Sequence, residues 1–452
     1  MFRNKFLATV ALLGIMQGVA GAGDGPGLDA KVNTASHTKA NKKWSVVDQT
    51  GAAIGSTTWR VVKGTGNCCE NHLGATSDGR LLDFGGSYLR FSTDKGQTWK
   101  VVQPTEPLLG AEGTVAVAPN GDIVGITWDP YTGDRVISFK QTAATGKWEY
   151  MYSVLHTPFY DREWISVVDG PFTVGTETVP YITVIRGGWP AKDIWYYSLD
   201  GLQYVLADNK VIDQAVEAPV TQWLPTKAAP SADWTQPIAE SGVSPLTGGG
   251  ALAPRIDTLD NAGGPWAILK PGALRWSRFK LGDGKELPNG RIQQDSRGWL
   301  HLVNVNGNLI DYRVSTDGGR TWAATTTQLP PDLRSEDWDF RANGALGLTA
   351  IGIHANNGGT PSSPDQDVVV KYSTSCAAPE LRGISLVGAG DLVVGVGVGA
   401  DIRFDFANMA ILSDGSVATS FIDAAHSPPA IAVELSSSVP VHPAGETCPE
   451  TP

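Results

Sequence analysis

Ser92-Thr93-Asp94-Lys95-Gly96-Gln97-Thr98-Trp99 returns much later in the chain as Ser315-Thr316-Asp317-Gly318-Gly319-Arg320-Thr321-Trp322. Both stretches follow S-x-D-x-G-x-T-W, the chemistry of a tight turn between two strands. The Ser and Asp oxygens accept backbone N–H bonds inside the turn. The glycine takes a positive φ, and the tryptophan packs between strands. Thr145-Gly146-Lys147-Trp148 and Ser198-Leu199-Asp200-Gly201 are weaker echoes. These turn residues are expected to build the fold, with little direct part in any chemistry.

A looser phrase surrounds them. Apolar alternation breaks at Asp-Gly or Asn-Gly and then resumes, as at Asp78-Gly79, Asn120-Gly121, Asp169-Gly170, Asn343-Gly344 and Asp414-Gly415, with Arg297-Gly298 as a variant. Such dipeptides between alternating runs are hairpin signals. Gly79, Gly121 and Gly170 recur at intervals in the forties, as do Gly298 and Gly344. That is the length of one four-stranded propeller blade. The apolar period is two throughout, so helices are not expected. The reading is all-β: a single β-propeller of seven blades (six is the alternative), each a four-stranded antiparallel sheet. Leu206–Asn289 is rich in Pro, Ala and Gly and is expected to hold insertions or a degenerate blade. Leu386–Val398 reads as buried strand.

Arg3 and Lys5, the apolar run Phe6–Met16 and Ala20-Gly21-Ala22 have the three parts of a secretory signal in order. The division expected is a signal peptide at 1–22, a flexible leader at 23–43, the propeller at 44–440 and a tail at 441–452. The protein is therefore expected outside the cell. The net charge of −11 repels phosphates and anionic lipid, which argues against nucleic acid or membrane as partner. Export permits disulfides. With Cys68, Cys69, Cys376 and Cys448 the most economical pairing is Cys68–Cys69 and Cys376–Cys448, the second tying the tail to the last blade. No Cys/His set has zinc spacing and no loop has EF-hand spacing. No cofactor or metal is expected, a structural Ca2+ being the one ion an acidic propeller would suit.

Propellers place their sites where inner strands converge on the central channel. Glu70, Glu112 and Asp161 each stand nine positions before a turn glycine, which predicts similar heights around one mouth. His72 follows Glu70, and Arg162-Glu163-Trp164 follow Asp161. Arg186 leads Gly187-Gly188-Trp189, and Glu336-Asp337-Trp338-Asp339-Phe340-Arg341 precedes another hairpin. Glu70, His72, Glu112, Asp161 and Glu163 are the catalytic candidates, because crowded carboxylates raise one another's pKa and so supply an acid and a base. Arg162, Arg186 and Arg341, with Asp339, are candidates for holding a carboxylate-bearing sugar. Trp164, Trp189 and Trp338 could face sugar rings. His301, in the apolar run Trp299–Val303, reads as structural.

The S-x-D-x-G-x-T-W turns are Asp boxes, and at them the chain resembles the sialidase/neuraminidase superfamily of BNR-repeat propellers. The resemblance implies a protein acting on carbohydrate, as an exo-glycosidase on an acidic glycan, and a monomer is expected. The superfamily also contains polysaccharide lyases and non-catalytic propellers. A lyase would use His72 or a tyrosine as base beside a uronate, and a binding propeller would keep the mouth without chemistry. Family sialidases carry an early Arg-Ile-Pro, three arginines on the substrate carboxylate and a nucleophilic Tyr–Glu pair. The nearest early match, Trp59-Arg60-Val61-Val62, lacks the proline, and Tyr131, Tyr160 and Tyr312 are all candidates for the tyrosine.

Overall fold

In the computed structural model the described residues are 38–39, 44–50, 54–55, 59–63, 72–85, 88–104, 112–129, 135–153, 164–174, 177–187, 194–206, 238–241, 255–261, 274–279, 291–295, 297, 299–316, 321–331, 334–356, 366–387, 408–423 and 426–437. Among them there is no α-helix, and seven antiparallel sheets follow one another along the chain. Sheet 1 runs outward from His72–Ala75 through Leu81–Phe84 and Leu89–Ser92 to Thr98–Pro104. Sheet 2 runs from Glu112–Val117 through Ile123–Asp129 and Arg135–Thr142 to Lys147–Ser153. Sheet 3 starts at Trp164–Val174 and ends at Val205–Leu206. Sheet 4 has three described strands, starting at Ile238–Ser241, inside the stretch expected to be degenerate. Sheets 5 and 6 start at Arg291–Gln294 and Arg334–Asn343 and end at Ala323–Gln328 and Glu380–Leu386.

Sheet 7 closes the ring. Asn408–Ile411, Val417–Asp423 and His426–Glu434 are completed by Trp59–Lys63 from the other end of the chain, paired from Glu434↔Trp59 to Ala430↔Lys63. The first strands of successive sheets pack on one another: sheet 1 on 2, 2 on 3, 4 on 5, 5 on 6, 6 on 7, and 7 back on 1. This arrangement is a β-propeller, and its seven sheets fit the seven-bladed expectation. Part of the expected leader is a strand, since Thr38–Lys39 pairs with the outer strand of sheet 2. Trp44–Thr50 does the same on sheet 1 and Ile54–Gly55 on sheet 7.

The core lies between the sheets rather than within one centre. Leu82, Phe84, Ile123 and Phe139 fill the seam between sheets 1 and 2, and Val303, Tyr312, Phe340 and Tyr372 that between 5 and 6. Two glycines make the first of these seams possible. A Cβ on Gly113 would stand 2.1 Å from a Phe84 carbon, and one on Gly125 2.0 Å from Phe139.

The Asp boxes sit in the turns between third and fourth strands. Ser92 Oγ donates to Asp94 Oδ1 at 2.8 Å and accepts the Gly96 N–H at 2.7 Å. Asp94 also accepts from the Thr98 N–H at 2.8 Å, and Trp99 Nε1 returns a bond to the Gly96 carbonyl at 3.0 Å. The echo at Ser198 is a true box. Its hydroxyl donates to Asp200 at 2.9 Å and accepts from Gly201 N–H at 2.9 Å, although no Thr-Trp follows. Residues 317–320 of the second full motif lie outside the described residues.

The hairpin expectation holds at three places with one geometry. Gly79, Gly121 and Gly415 have φ of 88°, 84° and 80° and donate to the carbonyls of Thr76, Ala118 and Leu412. It fails at two. Asp169-Gly170 lies within the strand Trp164–Val174, where pairing shifts between Asp169 and Phe172. The irregularity is absorbed as a bulge, and the strand runs on before it reverses. In sheet 6 the positive φ falls on Gly347, which donates to the Gly344 carbonyl, and not on Gly344. Asp161 therefore loses the register argument that set it level with Glu70 and Glu112.

The turn aspartates also set the acid limit. Asp94, Asp122, Asp295 and Asp414 all titrate below the ordinary carboxylate range: burial alone would raise them, but bonds from backbone N–H groups, hydroxyls and cations outweigh it. A carboxyl depressed in the folded state adds stability that is complete above its unfolded pKa, near 3.9. That stability is lost as pH falls through the folded value. The contribution of these four carboxyls to stability against urea is thus expected to be level from about pH 5 upward and to be lost steeply below about pH 4. A curve still level at pH 3 would contradict this.

Candidate functional site

Antiparallel alternation gives the propeller two faces. One carries the first-to-second hairpins and the Asp-box turns. The other carries the connections from each outer strand to the next inner strand, and those from second to third strands. Glu112 and Trp164 head the inner strands of sheets 2 and 3 on this second face. Glu112 is opposite Trp128 in register, Trp164 opposite Arg186, and Arg186 opposite Trp195. These two inner strands pack together, so the backbone positions of Glu112 and Trp164 adjoin, with Trp128, Arg186 and Trp195 at the paired strand ends on the same face. Glu70, Asp161, Arg162, Glu163 and Trp189 lie outside the described residues, within the segments that enter or leave strands at this face.

The remaining candidates hold the ring together. Inner strands of neighbouring sheets share no ladder, so buried N–H groups along them need other acceptors. His72 Nδ1 accepts the Val115 N–H of sheet 2 at 3.2 Å, in a site where the ring is only 6% exposed. Asp339 Oδ2 accepts the Met409 N–H of sheet 7 at 3.2 Å. Asn408 Oδ1 accepts the Leu73 N–H of sheet 1 at 2.7 Å, and Gln293 bonds both Ala342 N–H and the Phe340 carbonyl of sheet 6. Arg341, expected to hold substrate, is engaged by the buried Asp339 at 2.7 Å and donates to the Phe340 carbonyl at 2.7 Å. Trp338 is buried in the seam between sheets 5 and 6. Asn408 and Gln293 escaped the sequence reading. Their signal was available: His72 and Asn408 are both polar residues seven positions ahead of a turn glycine, Gly79 and Gly415.

Tyr312 is no nucleophile at a mouth. It is fully buried, and its hydroxyl joins a chain from Asp295 through His301 to Thr349, with contacts of 2.9, 2.8 and 2.7 Å. Burial drives the Tyr312 phenol well above its usual pKa, and burial lowers that of His301 against the pull of Asp295. Arg297 closes the end of this chain by pairing with Asp295 and lying 3.7 Å over the Trp299 ring. The structural reading of His301 fits this placement. Among the described residues no group of three or more His, Cys, Asp or Glu side chains is placed to hold a metal ion.

Fold and faces together define the class: a β-propeller with Asp-box turns on one face and the starts of its inner strands on the other. No protein-family model matches the chain, and no curated protein matches it. Solved structures similar to it include a streptogramin B lyase, at 10% identity and a TM-score of 0.46, covering 83% of this chain and 98% of that one. A YCF48 protein bound to a D1 peptide gives 11% identity and 0.42, covering 85% and 97%. A NanB sialidase of Streptococcus pneumoniae gives 10% and 0.35, covering 85% and 70%.

Proposed function

We propose that the chain is an exported carbohydrate-active protein, a sialidase-like exo-glycosidase working on an acidic glycan at the face opposite the Asp boxes. The observation that supports this is the register within sheets 2 and 3, which pairs Glu112 with Trp128 and Arg186 with Trp164 and Trp195 at strand ends on one face, and the packing of the two inner strands. A glycosidase needs a carboxyl to protonate the leaving oxygen and a second group as nucleophile or base. Glu112 would be one of the pair, with Glu70 or Glu163 the other. Arg186 would bind the sugar carboxylate through its planar fork, and tryptophan faces suit the C–H surfaces of a sugar ring. The β-elimination alternative is weakened by His72, whose Nδ1 is occupied by a backbone N–H and whose ring is buried.

The experiment offers sialylated and uronate-containing oligosaccharides and follows reducing ends and ultraviolet absorbance separately. Hydrolysis releases the first without the second, and elimination produces both. Glu112→Gln and Arg186→Ala are each expected to lower kcat/KM by about a hundredfold or more with an unchanged melting temperature. Binding without turnover on every substrate would leave a recognition module. Full activity in both variants would move the site elsewhere.

A further inference from the structure

We infer that the seam between sheets 2 and 3 is a hydrated site, where buried water bridges the two sheets through the hydroxyls of Thr114, Ser138, Thr183 and Tyr204. Among the described residues these four side chains are fully buried, and none of their hydroxyls has a hydrogen-bond partner. Register puts them on facing surfaces. Thr114 and Ser138 both stand opposite Ile126 and share its side of sheet 2. Thr183 stands opposite Val167 and shares its side of sheet 3. Ile126, Val167 and Tyr204 belong to one buried cluster that fills this seam. A buried hydroxyl left unbonded costs its full desolvation, and protein interiors meet that cost with a side chain or with ordered water. Room for water comes from the small side chains of Ala116 and Ala118, which follow Thr114 along the inner strand. The seam between sheets 1 and 2 is filled instead by the rings of Phe84 and Phe139.

Water suits these groups better than an ion does. Burial and the Asp200 carboxylate drive the Tyr204 phenol well above its usual pKa, so all four hydroxyls are neutral, and each can both donate and accept. Thr183 lies beside Tyr204 and favours the ionised form, but their two hydroxyls are not in bonding geometry. The charges at the Asp-box end of the seam are engaged with one another and with Tyr181. Asp122 accepts the Tyr181 hydroxyl at 2.9 Å and pairs with Lys140 at 3.3 Å, and Lys140 also donates to the Asp200 carbonyl at 3.0 Å. Thr114 shows what the water stands in for. It lies seven positions before Gly121, as His72 and Asn408 lie seven before Gly79 and Gly415. At those two positions the side chain reaches the next sheet's N–H directly. A threonine hydroxyl extends less far than an imidazole or an amide, which leaves the span to sheet 3 to water. More than one water is needed, because Ile126 separates Thr114 from Ser138 by two strand spacings, about 10 Å.

A high-resolution crystal structure of the full chain tests the site directly. Ordered water is expected within about 3 Å of Thr114 Oγ1, of Ser138 Oγ and of the Thr183–Tyr204 pair. Density free of water at Thr114, or at both of the other places, overturns the inference. Thr114→Val and Thr183→Val test it by the sign of a stability change, since valine keeps the shape of threonine and removes only the hydroxyl. A hydroxyl bonded to water loses that bond, and each variant should melt about 1–2 °C lower than the parent. A hydroxyl stranded in a dry seam is better replaced by a methyl group, and the melting temperature would rise. An unchanged or raised value in either variant overturns the inference. Should a variant not fold, the crystal structure of the parent decides alone.

Discussion

Lys371→Met should destabilise the protein by about 3–5 kcal/mol, because it strands a buried carboxylate. Lys371 and Glu434 are 1% and 2% exposed, and the ammonium is bonded to Glu434 and, at 3.1 Å, to the Gly415 carbonyl. Glu434 also accepts the Val417 N–H at 3.1 Å. Burial lowers the pKa of Lys371 in spite of its partner, so the pair sits where charge is costly and each member makes the other tolerable. The pair spans sheets 6 and 7, and sheet 7 is the one built from both ends of the chain. Adding Glu434→Gln to Lys371→Met should restore most of the loss, to within about 1–2 kcal/mol of the parent. The neutral amide can still accept the Val417 N–H. Urea unfolding of the single and double variants reads both values. A single variant within about 1 kcal/mol of the parent would show that the pair does not hold the seam.

Asp339→Ala is expected to cost about 3 kcal/mol, through Arg341 left without its carboxylate and Met409 N–H left without its acceptor. Asp339→Asn should cost less, since an amide oxygen can still receive the Met409 N–H. Thermal unfolding gives the stability, and turnover measured well below the melting temperature should be unchanged in both. A large fall in turnover with an intact fold would return Asp339 to the site and undo its assignment to the ring. The same comparison separates His72, which bonds across the ring, from Glu112, which heads an inner strand at the face opposite the Asp boxes.

The two kinds of candidate could not be told apart along the chain because each is a polar residue at the start of a strand. His72 and Glu112 are alike in that respect. What divides them is whether a neighbouring blade brings a backbone N–H to the side chain, and sequence spacing does not contain that. Local chemistry was legible where a turn depends on its own residues. Ser92, Asp94 and Gly96 satisfy one another within five positions, as do Ser198, Asp200 and Gly201. Gly79 and Gly121 have the positive φ that the hairpin signal requires. The same signal misled at Asp169-Gly170, where pairing to the next strand continues past the glycine and turns the local preference into a bulge.

The repeat of turn residues and the two-residue apolar period were sufficient for an all-β propeller, since short-range hydrogen bonds and alternating burial act within a few residues of one another. Closure of the ring by Trp59–Lys63, the clips made by His72, Asp339, Asn408 and Gln293, and the buried Lys371–Glu434 pair were settled only in three dimensions. Each joins groups on different sheets, and the free energy of placing a polar side chain there depends on which backbone group or opposite charge the neighbouring sheet supplies.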